Sequence, residues 1–363
     1  MSVNRHISKM KKIGVITFHN GPNFGGYMQA WHIVHAIRKL GHECQAVNYL
    51  HDVHYQANKI RIPLKSIAAL KGRVFWALKN RPFRGIGDTL CDHPFTTDAD
   101  MVPWDEYDGY VVGSDIVWDY QDANFGHDPV YFGMHSGQLE NPIVAYAASC
   151  GPADPSGPFP DYVSKGLAKF KAIGVRDQAT ANLVQNASRR ESTIVVDPTW
   201  LNTDPDIDWS RRPRDKYVFV YGSKVDEKLG LALRAYCDKR NLKLISALTS
   251  CKWADHTYRS LHPFQWVDLF KHAESTAILG TLHGTLFSIK YGKPFILVTG
   301  DRIKPKLTNV LANTQQEFRI FEPGNVGEKE LLLLDEGNTQ CPEIPEQWLS
   351  ESLQFMGDSL DWS

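Results

Sequence analysis

Cysteine is sparse in this chain, and what little there is has no pattern. Six residues (Cys44, Cys91, Cys150, Cys237, Cys251, Cys341) are scattered through 363 positions without one C-x-x-C pair. That spacing excludes zinc knuckles and a disulfide scaffold, and reduced thiols in a cytoplasmic setting are the expectation. An excess of either charge is also lacking. Lys and Arg total 40 against 41 Asp and Glu, for a net charge of −1. A dedicated nucleic-acid binder would be strongly basic, so that class is excluded. No run approaches the roughly 18 apolar residues of a membrane-crossing helix. The opening MSVNRHISKMKKIGVITF has basic residues but no long apolar core, so no signal peptide is expected. Internal repeats and low-complexity tracts are missing too. What is present is ordinary globular composition, 42% hydrophobic and 22% charged, at a length that fits two domains.

The first half reads as alternating strands and helices. KKIGVITF is a short β-branched apolar run, hence a buried strand. HNGPNFGG (19–26) is a polar, glycine-rich loop. In YMQAWHIVHAIRKLG, apolar residues recur at helical spacing through Tyr27, Ala30, Trp31, Val34, Ile37 and Leu40, with Gly41 as a stop. ECQAVNYL is a second strand, so the start is a βαβ unit and the sheet is parallel. Further strands follow in YDGYVVGSDIVWD, NPIVAYAASCG, FKAIGV and STIVVDPTWL, with Asp177 as the N-cap of a helix. The polar stretch NTDPDIDWSRRPRD (202–215) marks the domain boundary. The expected domains are 1–205 and 206–363.

Residues 53–87 break the pattern. They carry eight basic residues and no acidic one, interleaved with apolar residues as in PLKSIAALKGRVFWALKNRPF. This is the core of a basic insertion at about 53–100. It reads either as a solvated surface excursion or as a contact with anionic lipid or an anionic glycan carrier.

The second half restarts the alternation with KYVFVYGS, DEKLGLALRAYCDKRN, LKLISAL, HPFQWVDLFKHAE and STAILGTL. The fold class is therefore α/β with two Rossmann-like domains, whose ligands sit at the carboxyl ends of strands. GTLHGTLFSIKYGKPFILV (280–298) holds His283 at a strand-to-helix turn, with Gly284 permitting close backbone approach and Thr285 able to hydrogen-bond. Gly292 and Pro294 end that helix. Amides at a helix start favour an anion, and an imidazole beside one suits proton transfer. A structural histidine capping the turn fits the local pattern equally well.

NFGGYMQAW, YDGYVVGSDIVW, VAYAASCG, GVRDQATANLV, VVDPTWL and GTLHGTLFSIKYGKPFI occur in one order. Together they resemble the polysaccharide pyruvyl transferase family, from about Lys12 to about Phe321. The resemblance implies a glycosyltransferase-B-like layout, with two Rossmann-like domains facing across a cleft. It also implies transfer of pyruvate from phosphoenolpyruvate to sugar hydroxyls of a cell-surface polysaccharide or its precursor, as a ketal. Two positions depart from the family. Gly280, Thr281 and Leu282 precede His283 where members often have Asp-Ser, and Lys306 stands where many have an arginine. Lysine keeps the charge and loses the bidentate fork.

Phosphoenolpyruvate chemistry needs an acid–base pair and anion clamps. On the resemblance, His283 moves the proton. Gly284, Thr285 and Lys306 of the second domain hold the donor together with Arg176 of the first, with Lys293 a lesser clamp. Asp115 orients or deprotonates a sugar hydroxyl, and Asn23, Gly25 and Trp118 form the acceptor side in the first domain. The competing readings are an Arg176–Asp177 surface pair, an N-capping Asp115, a tight turn at Asn23–Gly25, a core Trp118 and an Asp197 that merely ends a strand. No cofactor or metal is expected beyond phosphoenolpyruvate as co-substrate. The expected partners are phosphoenolpyruvate and a sugar or lipid-linked oligosaccharide, with peripheral contact to the inner face of an anionic membrane as an open option. A nucleotide-sugar glycosyltransferase and a non-catalytic glycan binder are the rival functions.

Overall fold

The computed structural model describes residues 10–59, 70, 73–74, 77–78, 80–135, 140–248, 251–300, 304–335 and 341–362. Much of the basic insertion, and the side chain of Lys306, lie outside the described residues. The chain divides into two units. One takes in Met1–Lys59, Gly85–Asn202 and Glu346–Ser363, and the other Ile60–Arg84 and Thr203–Pro345. The C-terminal tail, expected with the second domain, therefore counts with the first, and the boundary falls after Asn202 rather than after 205.

The first unit is a six-stranded, all-parallel sheet. Its strands are β1 (Lys12–Ile16), β2 (Glu43–Ala46), β3 (Gly109–Val112), β4 (Ile143–Ala148), β5 (Ile173–Val175) and β6 (Thr193–Ile194), in the order β2-β1-β3-β4-β5-β6. Every residue of β3 and β4 is buried. A parallel sheet covered on both faces requires such unbroken apolar runs. Helix α1 (Phe24–Lys39) starts where the Asn23 side chain accepts from the Gly26 amide and carries Arg38 and Lys39 in its last turn, the end of the dipole that favours cations. Gly41, at φ +95°, then turns the chain away. Helix α2 (Asp52–Ala57) follows β2. Helices α3 (Asp161–Lys169) and α4 (Gln178–Ser188) lie between β4 and β6, and Asp177 caps α4 through the Thr180 amide. Trp118, Phe132 and Phe170 anchor the core below.

The second unit repeats the plan. Strands β7 (Tyr217–Gly222), β8 (Lys243–Ala247), β9 (His256–Tyr258), β10 (Ser275–Leu279), β11 (Phe295–Val298) and β12 (Ile320–Phe321) run parallel in the order β12-β11-β10-β7-β8-β9. Helices α5 (Glu227–Arg240), α6 (Pro263–His272) and α7 (Leu282–Lys290) join them, with α8 (Lys304–Asn313) after β11. Asp226 caps α5, and a His262–Gln265 capping box with Pro263 in the first turn opens α6. The last helix, α9 (Glu346–Ser359), packs in the first unit. The Val196 amide donates to Ser352 Oγ over 3.0 Å, and Trp348 Nε1 donates to the Ile194 carbonyl over 3.2 Å.

All six cysteines are free thiols. Among the described residues, no helix is long and apolar enough to cross a membrane.

Candidate functional site

In an open parallel sheet a ligand crevice forms beyond the strand ends where strand order reverses. In the first unit that point lies between β1 and β3. The loop after β1 and the loop after β3 are tied there by Thr17 Oγ1, which donates to the Ser114 carbonyl over 3.1 Å. His19 braces the first loop from below. Its Nδ1 lies 3.1 Å from the Thr17 carbonyl and its Nε2 3.2 Å from Asn48 Oδ1. A cleft of about 240 Å³ opens above, lined among others by Phe18, Asn20, Asn23, His54, Asn58 and Asp115. Asp115 holds φ at +74°, a conformation that aspartate tolerates better than most residues. Its Oδ1 accepts from the Ile116 amide over 2.9 Å, and its carbonyl accepts from Ser149 N, pinning the turn to the end of β4. His54 packs edge-on against Phe18 and Phe125, with ring centroids 4.4 and 4.9 Å away. Burial pushes its pKa down to about 4, opposed by the Asp115 and Asp122 carboxylates, so the ring is neutral at physiological pH.

In the second unit the order reverses between β7 and β10. Gly222 ends β7 at φ +127°, and a Cβ there would lie 2.0 Å from the Leu279 carbonyl, so only glycine lets the two strand ends meet this closely. The Ser223 amide donates to that carbonyl over 2.9 Å. A wider cleft of about 570 Å³ opens beyond, lined by Ser223, Lys224, Asp226, Gly280, Thr299, Gly300 and their apolar neighbours. Lys224 is exposed there. Gly280 leads through Thr281 into α7, whose start has no side-chain cap. Instead the Thr281 hydroxyl lies over Gly284, where a Cβ would come within 2.5 Å of it. His283 is half-buried in this uncapped first turn, next to backbone amides that favour an anion.

The model of the family described as polysaccharide pyruvyl transferase matches residues 23–302. The chain belongs to that family. It is therefore a transferase, and the match spans Asn23, Asp115 and His283. No curated protein matches the chain. Among solved structures it is similar to Staphylococcus aureus MnaA with UDP, at 12% identity, over 95% of this chain and 91% of that one, with a TM-score of 0.48. It is also similar to the UDP-GlcNAc 2-epimerase of Methanocaldococcus jannaschii, at 10% identity, 95% and 98% coverage and a TM-score of 0.49. A third is the glycosyltransferase SnogD of Streptomyces nogalater, at 12% identity, 97% and 95% coverage and a TM-score of 0.43.

Several residues sit differently from the sequence expectation. Trp118 is 0% exposed; its Nε1 donates to the Tyr131 carbonyl and its ring stacks on Phe132. It cannot offer a face to a sugar. Gly25 is buried inside the first turn of α1 rather than at a rim. Thr285 is buried, and its hydroxyl donates back to the Thr281 carbonyl over 3.1 Å, so it is spent within the helix. Arg176 is only 3% exposed, and its guanidinium pairs at 3.4 Å with Asp197, a residue expected from the sequence merely to end a strand. Asp197 in turn accepts from the Thr199 amide and hydroxyl, and Asp177 accepts from Ser149 and Thr180. These are structural pairs, not an open anion clamp. Asn23 and Asp115 do line one cleft together. Sequence reasoning missed Asn20, His54 and Asn58 in the first cleft and Ser223, Lys224 and Thr299 in the second. Asn20, Ser223, Lys224 and Thr299 carried a topological signal, each lying just after a strand, whereas His54 and Asn58 sit in and after helix α2 and carried none.

Proposed function

We propose that this transferase moves the pyruvyl group of phosphoenolpyruvate onto two hydroxyls of a sugar in a polysaccharide or its precursor, closing a ketal. A proton added at C3 of the enol makes C2 electrophilic. One sugar hydroxyl bonds to C2 and gives up its proton, the C2–O bond to phosphate breaks, and a second hydroxyl closes the ring with loss of its own proton. Inorganic phosphate leaves. His283 serves as the proton donor to C3, while the first-turn amides of α7 and the Lys224 ammonium hold the donor's anionic groups in the cleft beyond β7 and β10. Gly284 keeps the turn tight. Lys306 is a further candidate for the same anion. Asp115 takes the hydroxyl proton in the cleft beyond β1 and β3. Asn20, Asn23 and Asn58 supply the hydrogen bonds, and Phe18 and Phe125 the apolar surface, that a neutral sugar needs.

The observation that carries this reading is His283 in the uncapped first turn of α7, at the switch point of the second sheet, in a chain of this family. The test supplies the purified protein with acceptor glycan and either pyruvyl-labelled phosphoenolpyruvate or a labelled nucleotide sugar. Label from phosphoenolpyruvate should enter the product, and His283→Ala should reduce the rate by at least ~100-fold with its circular dichroism unchanged. Label arriving from the nucleotide sugar would make the protein a glycosyltransferase. Glycan binding without any turnover would make it a binding protein.

A further inference from the structure

We propose that the first unit carries a second sugar subsite beside the candidate acceptor cleft, so that the acceptor is an oligosaccharide of two or more residues rather than a free monosaccharide. The inference rests on the reading that the cleft beyond β1 and β3 takes the acceptor. The segment after β2 separates the two subsites. Leu50 and His54 line the acceptor cleft, while Tyr49 and His51 line a further cleft of about 690 Å³. The loop after β3 divides in the same way: Phe125 lines the first cleft, Asp128 and Val130 the second. His51 ties the two segments together. Its Nδ1 accepts from the Val53 amide over 3.2 Å, and its ring lies so close to Gly126 that a Cβ there would meet it at 2.1 Å. The two clefts therefore share one wall, and a chain of linked sugars seated in the first can continue into the second.

The chemistry of the second cleft selects a neutral saccharide. Asp128 is only 6% exposed and is held in place from two sides. The Tyr49 hydroxyl donates to its Oδ2 over 2.9 Å, and the Val130 amide to its Oδ1 over 3.0 Å. A carboxylate oxygen accepts more than one hydrogen bond, so a fixed acceptor remains for a ligand hydroxyl. Thr97 is half-buried beside it, and Asp98 and Lys169 are exposed at the same cleft. Pro129 and the half-buried Met134 add apolar surface. Tyr162 and Lys169 stand seven positions apart on α3, hence on one face and roughly 10 Å apart along it, a span longer than one pyranose ring. Two carboxylates against one lysine give no positive field for a phosphate or a polyanion. His135 adds none, since it faces Asp100 at 3.0 Å. Among the described residues no cluster could hold a metal ion. The apolar side chains are too few for an acyl chain. Sugar hydroxyls donate and accept, and the ring offers an apolar face, which is the mixture this lining matches.

The test is titration calorimetry of the full-length protein with neutral fragments of the acceptor glycan, graded from a single sugar upward, in the absence of phosphoenolpyruvate. Fragments longer than one sugar should bind about 10-fold more tightly than the single sugar, which is what one or two net hydrogen bonds contribute. Thr97→Trp, which fills the further cleft, should bring that ratio close to one. Lys169→Ala, which truncates an exposed side chain, should reduce it in part. Each variant is judged by its own ratio of long to short fragments, so a general loss of folding does not imitate the result. Equal affinity at every length in the wild type, a ratio untouched by Thr97→Trp, or no binding of any fragment would overturn the proposal. The transfer reaction is read separately. Length-dependent binding with no label arriving from phosphoenolpyruvate would keep the subsite and remove the chemistry. Label arriving at the same KM for every length would keep the chemistry and remove the subsite.

Discussion

At the scale of single residues, Arg176 shows how a charged side chain can look functional and serve the fold. Beside Asp177 in the sequence it resembles either a surface pair or an anion clamp. In the fold it pairs with Asp197, one strand and one turn further on, and both side chains are closed to solvent. Local sequence carries no record of a pair made across strands. Arg176→Ala leaves the Asp197 carboxylate buried and should cost about 3–5 kcal/mol of stability, read as a lower urea midpoint. A clamp would instead raise the KM for donor at unchanged stability. Asp115 makes the opposite case. Asn shares its tolerance of positive φ, so Asp115→Asn should keep the fold and reduce turnover by on the order of 10²-fold or more; an unaltered rate would remove it from the chemistry. His54 yields a prediction in pH. An unfolded histidine titrates near 6.5, and His54 in the fold near 4. Between those values the unfolded chain binds more protons, so stability is full above about pH 6.5 and falls as pH drops toward 4. Unfolding free energies from urea titrations at pH 7.5 and 5.0 should differ by about 2 kcal/mol more in the wild type than in His54→Leu. The buried His19, displaced in the same direction, leaves a residual slope in both.

At the scale of elements, the strands and main helices were legible because their signals are local. Short, mainly apolar runs marked β1, β4, β7, β10 and β11. Gly41, Asp177 and Gly292 punctuated helices as their side chains or positive φ require, while Asn23, a loop residue by its sequence, is the N-cap of α1. The short edge strands β9 and β12 were not visible, since two or three residues hold no periodicity and exist only by pairing with β8 and β11. Helix α9 was read as a tail for the same reason: its partners lie in β5, β6 and the turn after them, some 150 residues away in sequence. It fills space that the sheet leaves open. A Cβ on Gly174 would meet the Phe355 ring at 2.7 Å, and the Trp200 and Trp348 rings meet edge-on at 5.9 Å. Removing residues 346–363 should therefore expose the β5–β6 edge. The expected outcome is a lower thermal midpoint with increased binding of a hydrophobic dye; a truncated chain as stable as the full one would show that α9 is ornamental.

At the scale of the whole molecule, two sheets with separate cores each carry a cleft at their own switch point. The site residues were half legible because sequence shows which loops follow strands but not which of those strands are neighbours. Asp115 and Asn23 come together only through the pairing of β1 with β3. If the donor is held in the second unit, phosphoenolpyruvate should slow amide hydrogen exchange around Ser223 and Gly280–Gly284, leaving 18–23 and 115–116 unprotected until glycan is added. Protection in the reverse order would exchange the roles of the two clefts. The route of the backbone has a consequence for the protein's birth. The chain departs from the first unit at Asn202 and re-enters it at Glu346. The half that emerges first from the ribosome thus waits unfinished while the intervening one is translated. At roughly 5–20 residues per second that delay is about 7–30 s, a window in which a chaperone would find the β5–β6 edge still bare.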